Sequence, residues 1–189
     1  MIKIPYLKRL LYILASTISI ATQANAVQAT KCVYSAANIT DSTQPNTYTI
    51  KPIAGWYKLD TTINGKRYTA LLSPLTSPTD NFKENVNVVH EGINNTYTLA
   101  SYHSMSTSNC KQYLTLFKVV SSTPTMVHKY KAIKTIYVHT MQGVELKVTS
   151  YTILYKGVAY TITCTAMPAM HQLYSIDFSK VVQSFRIIE

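Results

Sequence analysis

Glycine, negative charge and long hydrophobic runs are all scarce in these 189 residues, and each shortage removes a class of chemistry. The 5 glycines, Gly55, Gly65, Gly92, Gly143 and Gly157, stand at least ten residues apart. No phosphate-cradling loop, dinucleotide fingerprint or nucleophile elbow can therefore be assembled locally. Acidic residues number 8. Glu84 and Glu91 flank a predicted strand at an odd interval, which on a continuous strand sets them on opposite faces and disfavours paired acid and base roles. The 5 histidines, His90, His103, His128, His139 and His171, include no pair at i, i+4 and no recognised zinc motif. No catalytic constellation, metal site or cofactor is expected from local motifs. The apolar run Leu10 to Ile20 is 11 residues, short of the roughly 20 that a membrane-spanning helix needs, and no second run follows.

What is present begins with an address. Lys3, Lys8 and Arg9 precede that run, and Ala24, Asn25 and Ala26 follow it as a small-residue cleavage site. Residues 1–26 thus read as a signal peptide cleaved near Ala26, leaving a periplasmic or secreted chain with no transmembrane segment. Cys32 invites a lipid anchor, but Ala29, Thr30 and Lys31 do not supply the residues such processing requires. It is expected to be unlipidated.

The remaining chain is long enough for one domain with a sizeable core. It is rich in tyrosine and threonine, so strands should dominate. Its formal charge falls from +10 to +7 when the three basic residues of the leader are removed. That excess keeps a surface soluble and does not by itself name nucleic acid as a partner. Three cysteines in an oxidising compartment suggest one disulfide and one leftover thiol. In the run Val158 to Met167, Val158, Tyr160, Ile162, Cys164 and Ala166 share one face while Ala159, Thr161, Thr163 and Thr165 share the other. Cys164 is then a buried, inert core sulfur. The preferred pair becomes Cys32 with Cys110, a closure that could stabilise by about 4–5 kcal/mol in the chain-entropy model.

Residues 27–46 lack any sustained period and read as an arm; the domain proper spans 47–189. Strands are expected at Tyr48 to Ile53, at Tyr57 to Thr62 and, after the Asn64 and Gly65 turn, at Tyr68 to Leu72. Ser73 to Pro78 breaks regular structure, and Val86 to His90 follows as a strand. The segment Asn94 to Thr96 could cap a weakly signalled helix over Tyr97 to Tyr113. Leu114 to Ser121, Lys131 to Met141, Val144 to Tyr155 and Val158 to Met167 form an antiparallel meander. After Pro168 the period lengthens toward 3.6, with Tyr174, Phe178, Val181, Val182 and Phe185 on one helical stripe.

The candidate binding residues are a basic turn, His128, Lys129 and Lys131 with Lys134, placed near Lys66 and Arg67 of the first hairpin. Such a patch would contact an acidic protein or lipid headgroups, weakly and with salt sensitivity. Its bland counterpart is a solvated loop. No stacking platform for nucleic acid is visible. His139 with Tyr137 and a distant carboxylate is the alternative, an enzyme whose site assembles only on folding; His103 and Cys110 stand too far apart on a helix to cooperate. Asn38 to Thr40 and Asn94 to Thr96 are glycosylation sequons that matter only in a eukaryotic host.

The stretch Asn81 to Val88, the hairpin carrying Gly157 to Thr163, and the ending Asp177, Phe178, Val181 to Arg186 resemble the PsbP-like fold group. That group includes the periplasmic DcrB-like proteins and the Mog-type Ran-binding proteins, and the leader points to the bacterial periplasmic branch. The resemblance covers about residues 47 to 189 and implies an α+β architecture, an antiparallel β-sheet flanked by helices in an α/β/α sandwich. It also implies a non-enzymatic accessory or binding role, here toward an unidentified protein or anionic envelope component. A secreted virulence or immunity factor is the third reading.

Overall fold

The structure, a computed structural model, describes residues 48–63, 66–80 and 82–188, with side chains of 61–67 outside the description. The leader, the arm, Cys32 and the Asn64 and Gly65 turn lie outside the described residues. Among the described residues nine strands and three helices follow in the order β1 (Tyr48–Thr49), β2 (Tyr57–Ile63), β3 (Lys66–Leu72), β4 (Asn85–Gly92), α1 (Leu99–Tyr113), β5 (Thr115–Val127), β6 (Tyr130–Met141), β7 (Val144–Tyr155), β8 (Val158–Ala166), α2 (Pro168–His171), α3 (Ser175–Gln183) and β9 (Arg186–Ile187). Seven strands make one antiparallel sheet in the order β2-β3-β4-β8-β7-β6-β5, and β1 pairs with β9 in a separate two-stranded ribbon.

Strand β8 lies at the centre of the seven and is buried along its whole length. Its even-numbered side chains, Val158, Tyr160, Ile162, Cys164 and Ala166, belong to the main core with Phe178, Val181, Val182 and Phe185. The stripe predicted for the last helix is therefore the face that meets the sheet. Aromatic rings dominate this layer: Tyr48 stacks on Phe185 at 5.8 Å, and Phe185 meets Tyr160 and Tyr130 edge-on at 5.6 and 6.2 Å. Burial pushes the Cys164 thiol well above its ordinary range, as expected for an inert core sulfur.

The opposite face of the sheet is covered by α1 and is chemically different. Register places Asn87 beside Thr163, Thr163 beside Ser150, Ser150 beside Thr135 and Thr135 beside Ser122, one polar row across five strands. Of the fifteen residues of α1 only Tyr102 is fully buried. Its hydroxyl donates to Glu91 Oε1 at 2.5 Å, and His103 Nε2 lies 3.1 Å from Ser122 Oγ and 3.3 Å from Thr135 Oγ1. Polar contacts hold the first half of this helix to the sheet, and Cys110 near its end packs with Leu114, Phe117, Tyr137 and Val148.

Four expectations need correction. The first strand ends at Thr49, because Pro52 cannot donate to a ladder, and its partner β9 was not foreseen. Helix α1 begins at Leu99 and is capped by Thr98: Thr98 Oγ1 accepts from Ser101 N at 3.1 Å, and Ser101 Oγ accepts from Thr98 N at 3.0 Å, a reciprocal capping box. Asn94 instead closes a turn, accepting from Thr96 N at 3.1 Å. Strand β5 runs on through Pro124 to Val127, which an edge strand tolerates. The final helix is split in two, with Ser175 Oγ donating to Gln172 O at 2.7 Å at the break.

Truncating the ring where the layers meet should be costly. Phe185→Ala is expected to lower unfolding stability by about 3–5 kcal/mol, whereas Leu173→Ala, on the exposed α2–α3 link, should stay within about 0.5 kcal/mol of the native chain. Urea denaturation of the two variants checks the order.

Candidate functional site

Antiparallel pairing sends alternate turns to opposite ends of the sheet, and the turns at one end are basic. There β5 returns to β6 through His128 and Lys129, and β7 returns to β8 through Lys156 and Gly157. His128 and Lys156 both take the left-handed backbone, φ 51 and 46, which lifts their side chains at the turn tips. Below them Tyr130 and Tyr155 meet edge-on at 5.6 Å. Lys129 Nζ lies 5.7 Å from the Tyr130 ring centre and Lys156 Nζ 5.3 Å from that of Tyr155, so each tyrosine carries an ammonium over its face.

Helix α3 ends at the same place. Gln183 Oε1 accepts from His128 N at 2.9 Å, and Arg186 Nη1 donates to Gln183 O and Phe185 O at 2.6 and 2.7 Å. The guanidinium thus satisfies carbonyls at the helix C-terminus, where positive charge is favoured. Partial desolvation, then the charges of Arg186 and Lys129, hold His128 below its ordinary value. Beside Lys156 a recess of 180 Å³ is lined by Asn94, Asn95, Tyr97, Tyr155 and Gly157, among others. Gly157 is required there: a Cβ would stand 3.0 Å from Asn95 Oδ1, on a backbone of φ 74.

Carboxylates gather elsewhere. Asp80 and Glu84 precede β4, Glu145 opens β7 and Asp177 lies in the first turn of α3, all at the other end of the molecule. Asp60, in the middle of β2, is engaged by Lys58 at 2.9 Å and Thr69 at 2.6 Å. At the basic end the one described carboxylate is Glu91, which is buried against Tyr102.

Of the residues singled out from sequence, His128, Lys129 and Lys131 come together at this end, exposed. Lys134 does not join them. Three positions beyond Lys131 on β6, it faces the α3 side, where its charge acts on His171 and Cys164. Lys66 and Arg67 open β3, whose first residues lie at the basic end, but four strand spacings of about 4.8 Å place that hairpin about 19 Å from β6. Cys110 is half-buried on α1, and its suggested partner Cys32 is not described. Lys156, Tyr155 and Arg186 are not among the residues the sequence singles out; the signal available is the Lys156 and Gly157 turn between the strands Val144 to Tyr155 and Val158 to Met167.

The alternative catalytic grouping is not assembled around His139. Tyr137 lies beside it, ring centres 6.0 Å apart, but the adjoining strand offers Leu146 opposite His139, while Glu145 pairs with Thr140 on the other face. Burial lowers His139, and likewise His103. Glu84 and Glu91 are both buried and separately engaged, Glu84 by Ser73 Oγ at 3.4 Å; burial raises Glu84. Among the described residues no three histidine, cysteine or acidic side chains cluster to hold a metal, and no helix is long and apolar enough to cross a membrane.

No protein-family model matches the sequence, and no curated protein matches it. Solved structures do match in fold. LpqN of Mycobacterium tuberculosis, involved in cell envelope biogenesis, superposes with a TM-score of 0.59 at 11% identity, over 78% of this chain and 88% of its own. PA94 of Pseudomonas aeruginosa, a protein of unknown function, gives 0.56 at 14% identity, over 68% of this chain and 95% of its own. The cyanobacterial PsbP of Synechocystis gives 0.51 at 14% identity, over 77% and 95%. The chain has the PsbP-like fold.

Within that fold the buried histidines make stability depend on pH. Desolvation shifts the buried His139 and His171 and the half-buried His103 below the ordinary 6.5. The unfolded chain then binds more protons than the native one as pH falls through that value, so stability is full above it and declines below it. Urea midpoints should drop between pH 7.5 and pH 5, and His139→Gln should flatten the slope; an unchanged midpoint in the native chain would contradict the assignment.

Proposed function

We propose that this PsbP-like chain is an exported, non-enzymatic accessory protein of the cell envelope whose basic sheet end rests against an anionic surface. The observation that carries the reading is the separation of charge. Lys129 and Lys156 project over the Tyr130 and Tyr155 pair and Lys131 stands exposed on the other sheet face at the same end, while the solvent-facing carboxylates described above lie at the far end or in mid-strand. A cationic end of this kind orients the molecule as well as attracting it, because the acidic end is repelled by the same surface. The envelope role of LpqN supports the compartment. Separation of His139 from Glu145 supports a role without bond-breaking chemistry.

Each basic residue near an anionic membrane contributes about 1 kcal/mol, so three give a moderate, salt-sensitive attachment. Flotation with vesicles containing phosphatidylglycerol should recover the protein at low salt, lose it at high salt and fail with purely zwitterionic vesicles. Reversing Lys129, Lys131 and Lys156 together to glutamate should weaken recovery by a factor of about 100 or more. Equal recovery of the native and triply substituted proteins would sink the proposal.

A further inference from the structure

A second recess lies at the opposite, acidic end. Ala54 and Trp56 before β2, Pro74 of the β3–β4 link, Leu173 and Tyr174 between α2 and α3, and Asp177 of α3 line an open recess of 330 Å³, enough for a small ligand. Trp56 is held in place, ring centre 6.0 Å from those of Tyr174 and Phe178, at interplanar angles of 61° and 86°. Leu173 forms an exposed apolar rim. The walls are aromatic and aliphatic, and the charged lining group is Asp177.

Acidic side chains gather around this recess although the protein as a whole is positive, and the nearby Lys83 ammonium is held by the hydroxyl and ring of Tyr57. Burial raises the Tyr174 hydroxyl above its ordinary range against an opposing hydrogen bond with Ser73, and the charged groups that act on it, Glu84, Asp80 and Asp177, are all acidic and add to the rise. The partial positive charge at the N-terminus of α3, about half a unit, offsets only part of one carboxylate. Lys180 reaches Asp177 at 3.8 Å, an exposed pair one helical turn apart that a better-placed cation can displace. Aromatic faces beside a carboxylate, with apolar surface around both, are the complement of a charge spread over methyl groups. An anion would meet Asp177, and a strongly hydrated metal ion would find a single lining carboxylate.

We propose that the recess between Trp56, Tyr174, Leu173 and Asp177 binds a small organic cation of the quaternary ammonium class. This site is independent of the basic end and can fail or succeed without it.

Trp56 is the only tryptophan in the chain, so its emission reports on the site directly. Titration with tetramethylammonium chloride should change that emission saturably, and sodium chloride at equal ionic strength should not. Asp177→Asn should weaken binding about tenfold, and Lys180→Gln, which removes the resident competitor, should tighten it. Leu173→Lys, at an exposed position, should abolish binding while leaving the circular dichroism of the fold unchanged, which covers the case in which Asp177→Asn disturbs α3. A response that does not saturate, that sodium chloride reproduces, or that survives Leu173→Lys unaltered would overturn the proposal. So would saturation by methyl glucoside with none by tetramethylammonium, the outcome for a sugar site.

Discussion

The two faces of β8 constrain the rest of the molecule. A strand at the centre of a covered sheet must bury both sets of side chains, and here the sets differ in kind: Tyr160, Ile162 and Cys164 on one side, Thr161, Thr163 and Thr165 on the other. A slip of one residue in register would drive hydroxyls into the aromatic layer, so the hydrogen-bond ladder and the layer chemistry enforce each other. The apolar side gathers α3, β1 and β9 by burial of rings, which is non-directional and strong. The hydroxyl side gathers α1 through specific bonds, Tyr102 to Glu91 and His103 to Ser122 and Thr135. The bonds of His103 exchange for bonds with water and contribute little net stability, whereas the buried bond from Tyr102 to the Glu91 carboxylate contributes more.

Charge separation follows from the same topology. In an antiparallel meander the connections alternate between the two ends, so whichever end receives Lys129 and Lys156 is set by where the strands start rather than by any local motif. Helix α3 lies with its first turn near Glu84 and its last near His128. Asp177 thus sits at the positive end of its dipole and Arg186 at the negative end, each in its favoured place. The asymmetry that distinguishes the two recesses also stabilises the helix between them.

Much of this was legible from residue order, and what was not has a physical reason. Parity along Val158 to Ala166 announced both faces of the central strand and the fate of Cys164, because a period of two survives any tertiary context. The stripe from Tyr174 to Phe185 was visible for the same reason at a period of 3.6. Pairing of Tyr48 and Thr49 with Arg186 and Ile187 was hidden, since two residues carry no period and the partners are separated by most of the chain. The cap at Thr98 was misplaced because Asn94, Asn95 and Thr96 also accept hydrogen bonds well, and Ser101 decides between them only once the helix exists. Lys131 and Lys134 looked like neighbours in sequence, yet an odd interval on a strand separates them by the thickness of the sheet. The row from Asn87 to Ser122 and the recess around Trp56 join residues from four or more segments and have no linear signature.

The sheet edges explain why the candidate sites lie at the ends. Both faces are occupied, by α1 on one side and α2 and α3 on the other, so a partner must approach an edge or an end. Strand β5 is a long exposed edge, a form that invites pairing with another strand. Two register shifts, between Thr115 and Lys118 and between Val119 and Ser121, bend its ladder, and Pro124 removes one donor from the row. With the continuous backbone template broken in this way, strand addition becomes the less favourable mode of contact. Side chains carried on tight turns remain, and the turns with the most concentrated chemistry are those holding Lys129 and Lys156. Recognition at this end is then electrostatic and oriented by the fold, a different contact from the open, aromatic and acidic recess that faces the opposite way.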